Sequence, residues 1–446
     1  MPGLRRAAGT VLGLRVAGAA MTYAFVIAMA RLLSPEDFGI LATLMAASLF
    51  LSILASAGQQ LALLRFLPPL LARGQSSAAS ALAARAGLTA AAGNLALWVI
   101  LAGAVMLADT LGQVERGPLL AFGLSIVPLV GVIDFQAHLA RAYRLIMLAI
   151  LPKDVLWRLI SMGMALVAAG LSGATPLPLG TVLAILIAVL AGLILAQAAA
   201  CRRRGLPSLR ALRQAMRTTP ADDDWRRARG PLWGVSVAAV AFANVDVMLA
   251  AALLGPGPAG LYFAANRIAQ APGFLQNSWN VVTGPVLSEL HGTDRRDALA
   301  RTAATASLQA FVPTLALALV LAALAGPVLA LFGAPFVAAQ GVLWLLLAAT
   351  VMNTVFGPAD LVLNMCGQDR AALRISLITT LGGVGLMLGL GLWHGATGIA
   401  AGVLIAVSWR KWMFWRTVRH RLGLRVDVLG ALWRNPGAQA VPCRPR

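Results

Sequence analysis

Apolar residues run along this chain in long blocks, not at the alternating spacing of a strand. The stretches 180–200 and 311–325 carry no charge at all. A helix needs ~20 such residues to cross a bilayer. Twelve blocks meet that length to within several residues, near 9–31, 38–65, 84–108, 118–137, 146–170, 177–200, 231–254, 260–287, 301–325, 338–364, 372–393 and 396–416. The pattern predicts helices throughout. A membrane β-barrel is excluded, because its strands would show a period of two.

Composition agrees. Of 446 residues, 59% are hydrophobic and 12% charged, with a mean hydropathy of +0.81. Soluble domains carry about twice that charge, and one core could not bury this much apolar surface. The net charge of +20 would suggest nucleic acid in a soluble protein. Sorting the 36 basic residues by loop removes that reading, since 30 fall on one side of the predicted membrane. Only Arg31 and Arg116 fall opposite, and Arg15, Arg65, Arg158 and Arg267 lie within spans. This bias places both termini on the cytoplasmic side of the membrane. The same residues account for membrane anchoring, so no nucleic-acid partner is expected. Arg5 and Arg6 before an apolar run look like a signal peptide, but Arg15 interrupts the run and it continues to Leu33, so it is read as the first span. Cys201, Cys366 and Cys443 all fall on the reducing side, where no disulfide is expected.

The longest polar stretch divides the chain. The expected organisation is a six-helix lobe over 1–201, a basic linker over 202–230, a second six-helix lobe over 231–416 and a basic tail over 417–446. In the linker, Leu209, Leu212 and Met216 at helical spacing beside Arg210, Arg213 and Arg217 predict an amphipathic interfacial helix. Trp409, Trp412 and Trp415 with Arg410, Lys411 and Arg416 form an interfacial belt. The halves share a signature. Leu32, Leu33, Pro35 and Gly39 recur without gaps as Leu253, Leu254, Pro256 and Gly260, at a constant offset of 221. Six spans per half makes these parallel repeats about an axis along the membrane normal.

The stretch Ala30 to Ala42 resembles the join after the first helix of bacterial polysaccharide-biosynthesis membrane proteins, the lipid-linked oligosaccharide flippases. They form part of the multidrug/oligosaccharidyl-lipid/polysaccharide (MOP) exporter superfamily. Asn244 to Gln270 is similar to the matching stretch of their second half, and Leu331 to Gly333, Gly367 to Arg370 and Gly395 to Ala401 are further echoes. The resemblance covers essentially the whole chain. It implies two six-helix lobes in a V around a central cavity, working by alternating access without ATP hydrolysis. It also implies a polyprenyl-(pyro)phosphate-linked oligosaccharide as substrate, in contact with membrane lipids, with the polysaccharide polymerase and chain-length machinery as further partners.

Polar residues inside spans carry the candidate chemistry. A charge near the bilayer centre costs ~2.5–3.5 kcal/mol on insertion scales and so faces a cavity or a partner. Arg15 and Arg267 suit a pyrophosphate, because the planar guanidinium donates bidentate bonds and stays charged. Snorkelling for Arg15, and an ion pair with Asp246 for Arg267, are the structural alternatives. Asp246 is the coupling-ion candidate. Asn244 lies two residues earlier, on a different face. Asn266, Gln270, Asn277 and Asn280 share a face of span 8 beside Arg267. They either line a hydrated, sugar-facing surface or bond between helices. Gln59, Gln60, Asn94, Asn353 and Asn364 are weaker cases of the same kind. Asp134 reads as a packing or gate residue and Asp154, after Lys153, as part of a boundary charge cluster. Pro128, Pro272, Pro313 and Pro358 are expected to kink their helices.

The chain has no GxxxxGK[ST] phosphate loop and no GxSxG, and its four histidines have no metal spacing. No catalytic residue, cofactor or metal is expected. The expected function is therefore flipping of the lipid-linked oligosaccharide from the cytoplasmic to the periplasmic leaflet. A cation-coupled drug or metabolite antiporter of the same superfamily is one alternative, although it would call for acids in span 1 where Arg15 stands. A membrane glycan polymerase or glycosyltransferase is another, although the joins at 34–37 and 255–259 are too short for an extramembrane site.

Overall fold

The computed structural model describes residues 2–173, 176–204, 223–276 and 295–427 except 367 and 425, with isolated helical positions between 277 and 294; the side chains of residues 2–16 lie outside it. The described residues are helical, with no strand among them. The order is α1 (Pro2–Leu32), α2 (Pro35–Ala55), α3 (Gln59–Ala72), α4 (Ser76–Thr110), α5 (Gly117–Gly123), α6 (Ile126–Ala142) and α7 (Ile146–Ile150). A π-helical turn (Leu151–Leu156) leads into α8 (Trp157–Ser172) and α9 (Leu179–Arg203). Next come α10 (Asp223–Leu254), α11 (Pro256–Gln270), α12 (Arg296–Ala323), α13 (Ala325–Ala330), a 3-10 turn (Ala334–Ala339), α14 (Gln340–Val355), α15 (Ala359–Met365) and α16 (Asp369–Leu422). Among the described residues, nine helices are long and apolar enough to cross a membrane, and Ala17–Leu32 is a shorter apolar helix. The predicted linker helix around Leu209, Leu212 and Met216 lies outside the described residues.

The repeated join takes one form twice. The helix before it stops at Leu32 or Leu254, and the next begins with Pro35 or Pro256. Proline suits a first helical position, where its missing N–H is not needed. Ser34 caps α2 by accepting the Asp37 N–H at 3.1 Å, and Glu36 and Asp37 complement the helix dipole. Gly255 replaces that cap with a positive φ of 85°.

Helix breaks follow backbone chemistry only in part. Pro272 comes just after the end of α11, and Pro358 stands in the break between α14 and α15. Pro313 instead sits inside the continuous α12, and Pro128 falls in the first turn of α6, where it is tolerated. Predicted span 2 breaks with no proline, at Ala57 (φ 47°) and Gly58 (φ 75°). Gly395 (φ 60°) interrupts α16, at the predicted boundary between the last two spans.

Contacts divide the chain into two compact units, Met1–Asn244 and Val245–Arg446. In the first, Ala62, Leu63, Leu67, Ala79, Ala83 and Trp225 form a buried cluster. Small residues let these helices approach closely. The start of α10 belongs to this unit: Trp233 Nε1 donates to the Leu54 carbonyl at 2.9 Å, beside the break at Gly58. In the second unit, Leu299, Val362, Leu363, Phe414 and Val418 are buried together. Large apolar side chains elsewhere stand exposed, such as Leu95, Val99, Ile100 and Leu107 along α4. That inversion fits a chain whose solvent is lipid.

Candidate functional site

Asp246 sits in α10 at 3% exposure, in the second unit. Its carboxylate faces α11, where Tyr262, Asn266 and Gln270 recur every four residues and so share a face. The Tyr262 hydroxyl donates to Asp246 Oδ2 at 3.1 Å, and Asn266 Nδ2 donates to the same oxygen. Asp246 Oδ1 is buried with no hydrogen-bond partner among the described residues. The chain of bonds continues outward. Gln270 Nε2 donates to Asn266 Oδ1, and Arg267 Nη1 donates to Gln270 Oε1 at 3.2 Å. Arg267 also stacks over the Phe263 ring at 4.6 Å, a cation–π distance. Tyr262 and Asn266 are buried, Arg267 is half-buried and Gln270 is exposed. The network therefore runs from a buried carboxylate to a half-buried guanidinium.

Beyond the end of α11, side chains replace lost backbone bonds. Thr350 Oγ1 donates to the Ala269 carbonyl at 2.8 Å, where Pro272 cuts the helix short. Gln276 and Asn353 exchange two bonds, 3.2 Å from Gln276 Nε2 to the Asn353 carbonyl and 2.6 Å from Asn353 Nδ2 to Gln276 Oε1. Asn244 bonds its own helix, at the Val240 carbonyl, and does not join the Asp246 network.

A second buried cluster lies in the first unit. Lys153, on the π-helical turn, pairs with the Asp134 carboxylate of α6. His138 Nδ1 lies 3.4 Å from the other Asp134 oxygen. Lys153 thus pairs with Asp134 and not within a local cluster with Asp154. The Asp154 carbonyl accepts from Arg158, whose guanidinium stacks 4.5 Å over Trp157. Pro152 brings no N–H to the Leu148 carbonyl four residues back, and Gln197 Nε2 donates to it instead at 2.7 Å.

With this geometry in place, comparison with known proteins decides the family. A family model described as polysaccharide biosynthesis protein matches residues 5–291. The chain belongs to that family. No curated protein matches the chain. Among solved structures it is similar to an inward-facing multidrug resistance MATE family transporter of the MOP superfamily, at 16% identity and a TM-score of 0.69, covering 91% of this chain and 94% of that one. It is also similar to the lipid II flippase MurJ in an inward closed conformation, at 10% identity and a TM-score of 0.64, covering 92% and 87%. The Vibrio cholerae MATE transporter VcmN aligns at 15% identity and a TM-score of 0.58, covering 90% and 98%. The fold of this polysaccharide biosynthesis family member is thus the all-helical, multi-pass fold of MOP-superfamily transporters.

Of the residues singled out in the family member's sequence, Asp246, Asn266, Gln270 and Arg267 come together in one network. Asn280 is half-buried and takes no part in the bonds described. Asn277 and the Arg15 side chain lie outside the described residues. Arg15 stands one turn before Gly18 on α1, and a Cβ at Gly18 would lie 3.3 Å from Asp154 Cβ, so α1 packs closely on the π-helical turn. Tyr262 is the partner that sequence reasoning missed, although it continues the four-residue spacing of Asn266 and Gln270. The site has no counterpart in the first half. Positions 221 earlier hold Phe25, Leu41, Met45, Ala46 and Leu49, all apolar.

Proposed function

We propose that the protein moves a polyprenyl-(pyro)phosphate-linked oligosaccharide from the cytoplasmic to the periplasmic leaflet of the bacterial inner membrane by alternating access, with both termini cytoplasmic. It does so as a transporter and not as an enzyme, through two six-helix lobes joined by the basic 202–230 linker. The observation that carries this reading is Arg267, held half-buried at the outer end of a polar network in a family of polysaccharide biosynthesis. Its guanidinium offers the bidentate, permanent charge that a pyrophosphate needs to leave the aqueous headgroup layer. Arg15 supplies the equivalent charge in the first half. Gln270, Asn277 and Asn280 offer amides to the glycan hydroxyls, and Asp246 is the group that couples transport to an ion. The polysaccharide polymerase and chain-length machinery are the partners downstream.

The test is complementation of a strain lacking the chromosomal copy. Arg15→Glu and Arg267→Glu are expected to abolish surface glycan while membrane protein levels stay normal. Unimpaired glycan in both variants overturns the site assignment. A second reading, a cation-coupled drug or metabolite antiporter, is favoured by the buried Asp246 carboxylate and by the MATE fold. It predicts that Asp246→Asn lowers drug resistance and leaves glycan export intact.

A further inference from the structure

One ion pair in the second unit has its cation, not its acid, as the buried partner. Lys411 Nζ on α16 donates to Asp360 Oδ1, at the start of α15, at 3.0 Å. Side-chain exposure is 7% for Lys411 and 36% for Asp360. Lys411 lies five residues inside the end of the predicted span 396–416, which is roughly 8 Å along the helix. A lysine so placed can snorkel to the headgroups. This one turns inward instead, and the fold holds its ammonium beside the break between α14 and α15. Arg410 lies within electrostatic reach of the same carboxylate and stacks 5.9 Å over Phe414. Trp415 follows Lys411 by four residues and so shares its face. It packs on Phe356, just before the break, at 6.2 Å, and its indole N–H is buried with no acceptor among the described residues.

We propose that Lys411, with Arg410 beside it, forms a binding site for the phosphate of a membrane lipid, and that the Asp360 carboxylate keeps the place of that phosphate until the lipid arrives. A buried ammonium must keep an anion, but it need not keep the same one. Asp360 is half-open and can turn to water once displaced, whereas Lys411 is too deep to follow it. A phosphate monoester carries more charge than the carboxylate and has three acceptor oxygens. It can therefore bond Lys411 and still leave acceptors for the Arg410 and Trp415 donors. The position suits such a ligand, because less than two helical turns separate it from the predicted end of the span, near the layer of lipid phosphates. The Asp134–Lys153 pair does not allow this exchange, since its carboxylate is the deeper partner and cannot leave. The site does not rest on the flippase reading. A prenyl phosphate and a glycerophospholipid headgroup present the same chemistry to it.

The experiment uses full-length protein in phosphatidylcholine nanodiscs, with calorimetric titration as the readout. The probes are farnesyl phosphate, short-chain phosphatidylglycerol, and farnesol as the control without phosphate. Asp360→Asn removes the competing carboxylate and is expected to tighten phosphate binding about fivefold or more, because more of the protein then has Lys411 open to the ligand. Lys411→Met is expected to weaken it about tenfold or more, the loss of a charged hydrogen bond. Arg416→Met, at an exposed basic position on the same helix, is expected to change it less than about twofold. Farnesol should respond to none of these changes. Asp360→Leu with Lys411→Met leaves no charge unpaired and should lose phosphate binding as the single variant does, which keeps the comparison if Lys411→Met fails to fold. A response to farnesyl phosphate alone assigns the site to a prenyl phosphate, and a response to phosphatidylglycerol assigns it to a lipid headgroup; either supports the proposal. Three results overturn it: phosphate binding that survives the loss of Lys411, a loss as large in Arg416→Met, and no tightening in Asp360→Asn.

Discussion

Removing Lys153 should be among the most damaging single changes in the first unit. Its partner Asp134 is the more deeply held of the two, with side-chain exposures of 6% for Asp134 and 26% for Lys153. Breaking a buried ion pair by deleting one partner costs about 3–5 kcal/mol, because the other charge stays buried without compensation. Lys153→Met strands the carboxylate, with the His138 ring at 3.4 Å and the Arg141 charge farther along α6 as its remaining neighbours on that helix. Asp134→Asn strands the lysine, whose long stem can carry the ammonium toward water. The losses should therefore be unequal: about 3–5 kcal/mol for Lys153→Met and about 1–3 kcal/mol for Asp134→Asn, which leaves a neutral amide short of partners. The paired replacement Asp134→Leu with Lys153→Met should recover most of the loss, since an apolar pair of similar volume often matches or exceeds a buried ion pair. Reversible unfolding by SDS in mixed micelles measures all four. A Lys153→Met protein within about 1 kcal/mol of wild type refutes the reasoning, as does a double variant no better than the worse single. Surface glycan in the same strains separates roles. Export by the double variant makes the pair structural, whereas a stable double variant that exports nothing makes it part of the transport cycle.

Two further substitutions probe the backbone repairs. Gln197→Leu removes the donor to the Leu148 carbonyl and should cost about 1–3 kcal/mol in the same unfolding assay; no measurable change would mean that the π-helical turn satisfies that carbonyl unaided. Gly58→Ala should be worse than Gly74→Ala. Both glycines have positive φ, 75° and 71°, but a Cβ at position 58 would lie 2.5 Å from the Arg229 carbonyl, whereas nothing lies within 4 Å of one at position 74. Position 74 carries the conformational penalty alone, about 1–2 kcal/mol, and equal losses at both sites would refute the close approach of α10 to the α2–α3 break.

Much of the helical layout was legible because spanning a bilayer is a length requirement, and apolar length is visible in one dimension. The joins were legible for a related reason. Pro35 and Pro256 each start a helix, and proline at a first helical position is a signal that one residue carries by itself. The breaks were less legible. Pro313 signalled a kink in a helix that runs on from Arg296 to Ala323, while Ala57 and Gly58 gave no strong signal for a real break. Such a break depends on a partner across space: Trp233 donates to Leu54, and no local rule connects residues 179 positions apart. The charge sort counted Lys153 among the cytoplasmic loop residues. Its pairing with a carboxylate in the neighbouring helix was not part of that reading.

That pairing does obey a rule the sequence contains. Two helices joined by a tight turn run antiparallel, so residues equally far from the turn lie at equal depth. Asp134 and Lys153 are symmetric about the join at Tyr143 and Arg144, and Asp246 and Tyr262 are symmetric about Leu254. Polar residues mirrored across a short join can reach each other, and an apolar environment rewards the contact because the alternative is an unsatisfied group in hydrocarbon. Applied to the first repeat, the same mirror pairs Phe25 with Leu41 across Leu33, and both are apolar. The repeated join therefore starts a helix on proline twice but sets a buried carboxylate against the next helix only in the second copy, among the described residues. If coupling resides in that copy, grafting its carboxylate onto the first half should not create a second coupled step, because the network around Asp246 also needs Asn266 and Gln270 in register. Such a graft, Phe25→Asp, should only destabilise the protein, with a buried charge facing the Trp157 ring that now packs on Phe25 at 5.2 Å. Unfolding in SDS mixed micelles checks this, and a variant as stable as wild type would refute it.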